Sequence, residues 1–268
     1  MHKNTIRNLI IFSIFAIGCG WVAQMLNDPS LPTDQQSGTL IWLATPLLIS
    51  MLLRAFGDDG WKDFGINPAI EGNIKWYLFS IFIYPIVAII IIFIGLISGV
   101  ISTSVFTSSN ISIWLQGFLL LLGGTIMKNI LEEFAFRGYL APKVYSLKWN
   151  RLLSHTIVGL VWGAWHIPFL VYVFSYLNES AVTLIPRLLL GTIAASIVYG
   201  EIRIRTNSVW PAFFMHTIGG SFIGAFLLDP DILNISERNI VVFSNGVEGI
   251  LTILLFTVAG YFLMKKKV

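Results

Sequence analysis

Long apolar runs recur along this chain, at about 9–26, 39–56, 76–100, 113–131, 153–177, 185–202, 208–228 and 247–264. The hydrocarbon core of a bilayer is crossed by ~20 helical residues, at ~1.5 Å of rise each. No water is present there to satisfy a bare backbone N–H or C=O, so unbroken runs of this length fold as helices. The expected architecture is all-α: a polytopic transmembrane helical bundle of about eight spans, forming a single integral-membrane domain over residues 1–268. The composition agrees, with 56% hydrophobic and 12% charged residues, where soluble domains carry ~25% charged. That balance excludes a soluble globular enzyme, a disordered chain and a nucleic-acid-binding domain.

Turn signals separate the runs: Asp28-Pro29, Gly57-Asp58-Asp59-Gly60, Asn67-Pro68, Asp229-Pro230 and Asn245-Gly246. No internal repeat and no low-complexity tract interrupts them. With the N-terminus inside, fourteen of the 17 Lys and Arg residues fall in cytoplasmic segments, Arg187 and Arg238 fall outside, and Lys128 lies within the fourth run. This bias predicts cytoplasmic termini and a multi-pass protein of the cell membrane. The single cysteine, Cys19, excludes an intramolecular disulfide. It reads as a small buried residue of a first span that is retained rather than cleaved as a leader. Residues 57–75 read as an interfacial stretch with aromatic anchors. Residues 138–151 mix aromatic, aliphatic and basic side chains and suit either a helix lying on the inner membrane face or a basic connector.

A charged side chain at mid-membrane costs ~2.5–3.5 kcal/mol, and the titratable groups inside the runs cluster. The fourth run ends in Lys128-Asn129-Ile130-Leu131-Glu132-Glu133-Phe134-Ala135-Phe136-Arg137. The fifth holds Trp162-Gly163-Ala164-Trp165-His166, and the seventh holds His216. Lys128 and Glu132 are four apart and share a helix face, and Glu133 and Arg137 share the adjacent one. Arg137 can therefore compensate Glu133 and leave Glu132 in a distinct environment. Two adjacent carboxylates in low dielectric do not both ionise easily, which is how a glutamate becomes a general base or acid. His155 reads as a satisfied core residue or an interfacial group, whereas His166 stands beside a proline, Pro168, that frees a carbonyl one turn back. Gly159 and Gly163 let a neighbouring helix approach closely. At ~1.5 Å per residue, His216 comes out ~12 Å from the inner face and His166 ~20 Å, with Glu132 nearer the edge. The three levels do not coincide without tilt, a kink or a displaced fourth span.

No His-Glu-x-x-His is present and no aspartate lies within a run, so a zincin site and an intramembrane aspartyl dyad are disfavoured. Ser221 has no independent base. A carboxylate with two imidazoles remains. That set can activate water, or Glu132, His166 and His216 can hold zinc or another divalent metal with an open position. The residues leave both chemistries open.

Three motifs in order resemble the CPBP family, which groups CAAX prenyl endopeptidases of the Ras-converting type with bacterial Abi-type proteins linked to bacteriocin processing and immunity. Glu132-Glu133-Phe134-Ala135-Phe136-Arg137 matches Glu-Glu-x-x-x-Arg and continues in Gly138-Tyr139-Leu140. Trp162-Gly163-Ala164-Trp165-His166 is similar to Phe-x-x-x-His with tryptophan in the first place. Asn207-Ser208-Val209-Trp210-Pro211 leads to His216. Together they cover about residues 125–225. The resemblance implies a glutamate-dependent membrane endopeptidase acting on a peptide or protein substrate at the bilayer. Glu132 would be the base that activates water, helped by His166; Glu133 and Arg137 would hold the motif in shape; His216 would stabilise the oxyanion. The family pattern places an asparagine four residues after the last histidine, where this chain has Gly220. A non-catalytic immunity or binding protein on the same scaffold is the alternative that this departure raises.

Overall fold

The computed structural model describes residues 2–28, 37–173, 180–227, 232–233 and 235–266, and every regular element among them is helical. The helices are α1 (His2–Met25), α2 (Ser37–Phe56), α3 (Ile74–Ile97), α4 (Ser108–Ala135), α5 (Ala141–Ser146), α6 (Arg151–Val173), α7 (Ala181–Thr206), α8 (Trp210–Leu227), α9 (Glu237–Phe243) and α10 (Ile250–Lys265). Each expected apolar run falls on one of them. Among the described residues, five helical segments are long and apolar enough to cross a membrane: 3–25, 37–56, 74–97, 108–146 and 181–206. Pro29 and the Asp229-Pro230 turn signal lie outside the described residues, as does Lys267.

Helical spacing decides which faces are buried. On α1, Asn8, Phe12, Ala16, Cys19 and Ala23 recur at intervals of three and four and are buried. On α2 the buried residues Gly38, Trp42, Pro46, Ser50 and Arg54 recur every four. These faces pack α1 on α2 and on α6. The α6–α7 seam is close because Gly159 presents no side chain: a Cβ there would lie 2.6 Å from Ile193 Cα. Helix α8 lies between α3 and α4, and α7 between α6 and α10. Indole pairing ties α2 to α6. Trp42 Nε1 donates to the Trp165 carbonyl (3.0 Å), Trp165 Nε1 donates to the Trp42 carbonyl (3.2 Å), and the rings stack at 4.2 Å.

The fourth run does not end at Arg137. It passes through a π-turn, Phe136–Leu140, into α5, so the helical rod continues to Ser146. Residues Gly138 to Ala141 and Val144 are buried, which corrects the expectation of a surface helix over 138–151. The extension also brings the depths of Glu132 and His166 together. Glu132 stands about 21 Å along the axis from Ser146, and His166 about 22 Å from Arg151, at ~1.5 Å per residue. α6 continues through Pro168 to Val173.

A π-turn widens the hydrogen-bond ladder and turns carbonyls away from their usual partners. Two buried arginines take them: Arg54 Nη2 donates to Gly138 O at 2.5 Å and Arg203 Nε to Arg137 O at 3.0 Å. The same arginines clamp the loop after α2. Arg54 pairs with Asp63 (2.7 Å), Lys143 pairs with Asp63 (2.9 Å), and Arg203 Nη2 donates to Asp63 O (2.6 Å). Burial alone would raise the Asp63 carboxyl, but hydrogen bonds from Arg54 and Lys143 hold it below the ordinary carboxylate range. The loop is therefore more than an interfacial stretch. Phe64 turns inward onto Phe134 and Val209, while Trp61 remains exposed. Gly65, at φ +76°, carries the left-handed turn against the Arg203 guanidinium and accepts the Val209 N–H through its carbonyl.

Candidate active site

Helices α4, α6 and α8 converge on one cluster. α4 brings Lys128, Asn129, Glu132 and Glu133 on its last two turns, α6 brings Trp162 and His166, and α8 brings His216. The five residues assigned from sequence, Glu132, His166, His216, Glu133 and Arg137, all meet here. Both carboxylates are withdrawn, with Glu132 1% and Glu133 0% exposed. The Lys128 side chain is 31% exposed and the two imidazoles 18% and 14%, so the cluster opens on the side of those three groups.

Each carboxylate has its own cation. Glu132 Oε2 accepts from Lys128 Nζ at 2.6 Å, and Glu133 Oε1 accepts from Arg137 Nη1 at 3.1 Å. The helical spacing foresaw both pairs. Arg137 is also held by aromatic faces, its guanidinium carbon 3.9 Å from the Trp162 ring centre and 4.3 Å from that of Tyr199. Such contacts on a desolvated cation contribute ~2 kcal/mol. Glu133 is bound further: His216 Nδ1 stands 2.8 Å from Oε1. Glu132 is left more open. His166 Nε2 and His216 Nδ1 lie 3.7 and 3.8 Å from its Oε1, close enough for Coulombic contact and too far for a direct hydrogen bond. His166 is oriented from behind, with Nδ1 2.9 Å from the Trp162 carbonyl. Donation to that carbonyl leaves the Nε2 lone pair facing Glu132.

Sequence reasoning missed two groups. Trp162 donates its indole N–H to Glu132 Oε1 at 2.5 Å, a contact that the phenylalanine of the resembled motif cannot make. The tryptophan in that place was the available signal. Asn129 accepts from Lys128 Nζ (3.1 Å) and donates to Thr217 Oγ1 across to α8 (3.3 Å). It follows Lys128 directly, but nothing in the spacing distinguishes it from a packing residue. His155 lies apart, as expected of a satisfied core histidine, between Tyr145 and Glu201.

For a cation, the described residues offer one candidate set: Glu132, Glu133 and His216 present ligand atoms within 4.8 Å of one another. That differs from the set of Glu132, His166 and His216 expected from sequence. Two polar atoms in the cluster, Glu133 Oε2 and Arg137 Nη2, have no hydrogen-bond partner among the described residues, and bound water can serve such atoms.

The family comparison covers this cluster. No curated protein matches the chain. A family model described as Rce1-like, type II CAAX prenyl endopeptidase Rce1-like, matches residues 113–221, a segment that begins in α4, ends in α8 and contains every residue of the cluster. The segment that builds the site is thus similar to the type II CAAX prenyl endopeptidases, which are membrane proteases.

Proposed function

We propose that the protein is a glutamate-dependent intramembrane endopeptidase that hydrolyses a peptide bond of a membrane-associated substrate near the cytoplasmic face, with water activated directly by Glu132. The observation that carries this reading is the gap at Glu132 Oε1. An acceptor oxygen and two imidazole nitrogens face one another at 3.7 and 3.8 Å, and a water at ~2.8 Å from each partner fits between Glu132 and His166. In the reaction Glu132 takes a proton from that water as its oxygen attacks the carbonyl carbon. His166 holds the water through its Nε2 lone pair. The resemblance implies His216 for the resulting oxyanion, but here its Nδ1 is engaged by Glu133 Oε1 at 2.8 Å. When the C–N bond breaks, Glu132 returns the proton to the leaving nitrogen, so that a carboxylic acid and an amine leave and the enzyme is regenerated. Glu133 and Arg137 keep the π-turn and His216 in register.

Charge balance favours direct activation over a bound metal. The two carboxylates are already matched by Lys128 and Arg137, at 2.6 and 3.1 Å. A divalent ion on Glu132, Glu133 and His216 would add uncompensated positive charge to a buried site. The substrate reaches the site from the bilayer along α4, whose residues before Lys128 are largely outward-facing: Leu120 is 76% and Met127 66% exposed.

The test compares membrane peptides of a wild-type strain with those of a Glu132→Gln strain. A peptide that stays uncut only in the mutant, with the protein inserted at normal level, is the expected result. Absence of any such peptide would favour the binding or immunity role, for which Gly220 in place of the family asparagine is the specific argument.

A further inference from the structure

The proposed chemistry needs a hydrogen-bond donor for the oxyanion, and a count of donors shows where one is available. His166 Nδ1–H is committed to the Trp162 carbonyl at 2.9 Å. His216 Nδ1 stands 2.8 Å from Glu133 Oε1, an oxygen that also accepts from Arg137, so this nitrogen is the donor of the pair. In their neutral forms both imidazoles then present lone pairs at Nε2, and neither donates to an oxyanion. The single N–H of Trp162 goes to Glu132. The spare Nη2 of Arg137 is enclosed, the residue being 1% exposed between two aromatic faces.

Lys128 differs from all of these. Its ammonium carries three hydrogens; one meets Glu132 Oε2 at 2.6 Å and one Asn129 Oδ1 at 3.1 Å. The third meets no acceptor among the described residues, and the side chain is 31% exposed on the open side of the cluster. Asn129 in turn donates to Thr217 on α8, next to His216, so the ammonium is held between the base and α8. Gly220 lies one turn beyond His216. A Cβ there would meet only Thr125 Cγ2, at 3.6 Å, and Thr125 is one turn before Asn129 on α4. The space that a side chain at position 220 would enter is therefore bordered by the stretch of α4 that leads to Lys128.

We propose that Lys128 is a catalytic residue of this site, donating to the substrate's oxyanion in the role that the asparagine replaced by Gly220 would fill. The inference rests on the reading of Glu132 as the base. As Glu132 accepts the water's proton its negative charge disappears, and an equal charge develops on the carbonyl oxygen. The Lys128 ammonium, no longer tied to a carboxylate, stabilises the oxygen that has become charged. The site then carries the same net charge before and after the step, which matters where charge separation is costly.

The test uses the full chain in proteoliposomes with an internally quenched farnesylated peptide ending in a free carboxylate as the probe. Lys128→Gln is expected to lower kcat ~10²–10³-fold, the range for loss of an oxyanion donor, with KM nearly unchanged. Lys128→Arg retains the charge and is expected to lose much less. Adding Gly220→Asn to Lys128→Gln is expected to restore at least ~10-fold in kcat, which a merely structural lysine would not predict. Wild-type kcat in Lys128→Gln overturns the inference and leaves the base reading standing. A loss that neither Lys128→Arg nor Gly220→Asn relieves overturns it as well, assigning Lys128 to the fold. Equal rates for wild type and Glu132→Gln on this peptide overturn the base reading, and the inference falls with it.

Discussion

At the seam of α6 and α7, His155 Nε2 stands 3.0 Å from Glu201 Oε1, and both side chains are fully buried. Arg151 and Arg205 bind the other oxygen of Glu201, and Tyr145 takes the second nitrogen of His155 at 3.1 Å. At the meeting of α4 and α6, His166 Nε2 stands 3.7 Å from Glu132 Oε1, and a second imidazole waits at 3.8 Å. The residue types are the same and α6 supplies the histidine of both. The first pair is closed: every polar atom has a protein partner and no reactant can enter. The second is fixed by Trp162 within the bundle and by Lys128 at the open side, and the gap toward the imidazoles is left free. A buried glutamate–histidine pair is thus no sign of chemistry in itself; the sign is an oriented carboxylate whose histidine stops short of it.

The two pairs separate most clearly when each glutamate is exchanged for glutamine. Glu201→Gln strands two arginines and a histidine, and loss of one partner of a buried ion pair costs ~3–5 kcal/mol. Thermal unfolding in detergent should show a large drop in Tm for that variant. Glu132→Gln should instead abolish peptide turnover with a smaller change in Tm, since its cation, Lys128, is partly exposed. If both variants lose stability equally, the open pair is structural too.

A smaller effect is expected at the open pair. Trp162→Phe keeps a ring over Arg137 and removes the indole N–H from Glu132. Hydrogen bonds to charged groups contribute ~1.5–3 kcal/mol. The expected result is a ~10-fold lower kcat, or more, with Arg137 still bound and the fold retained, read by turnover alongside Tm. An unchanged kcat would show that Lys128 alone orients the base.

The smallest effect concerns the loop over 57–66 that braces the π-turn from outside. Asp63 has a folded pKa below its ordinary value. Its contribution is therefore present above the ordinary carboxylate pKa and is lost as pH falls through the lower, folded value. Amide exchange or limited proteolysis within this loop should accelerate as pH drops through that window. Asp63→Asn should remove the pH dependence, while turnover at neutral pH changes little.

Much of this site was legible in the linear chain because helical geometry is local. Intervals of four paired Lys128 with Glu132 and Glu133 with Arg137, and the small residues at 159 and 163 marked a close seam. What local geometry missed was the continuation of the fourth helix, since a π-turn looks like an ordinary helix end when Gly138 follows Arg137. Three basic residues that read as cytoplasmic surface, Arg54, Lys143 and Arg203, are in fact buried. They brace the loop and the π-turn, and no periodicity could indicate that, because their partners are distant in sequence.

The amino-acid sequence alone determined that the chain is a helical membrane bundle, because long apolar runs leave the backbone no other way to satisfy itself. It also singled out one acid and two imidazoles as candidates, since ionisable groups rarely occur in such runs without a reason. Only the tertiary structure decided which glutamate–histidine pair is closed and which is open. That distinction is a difference of less than an ångström between side chains on separate helices, set by packing across the bundle rather than by any spacing along one strand of sequence.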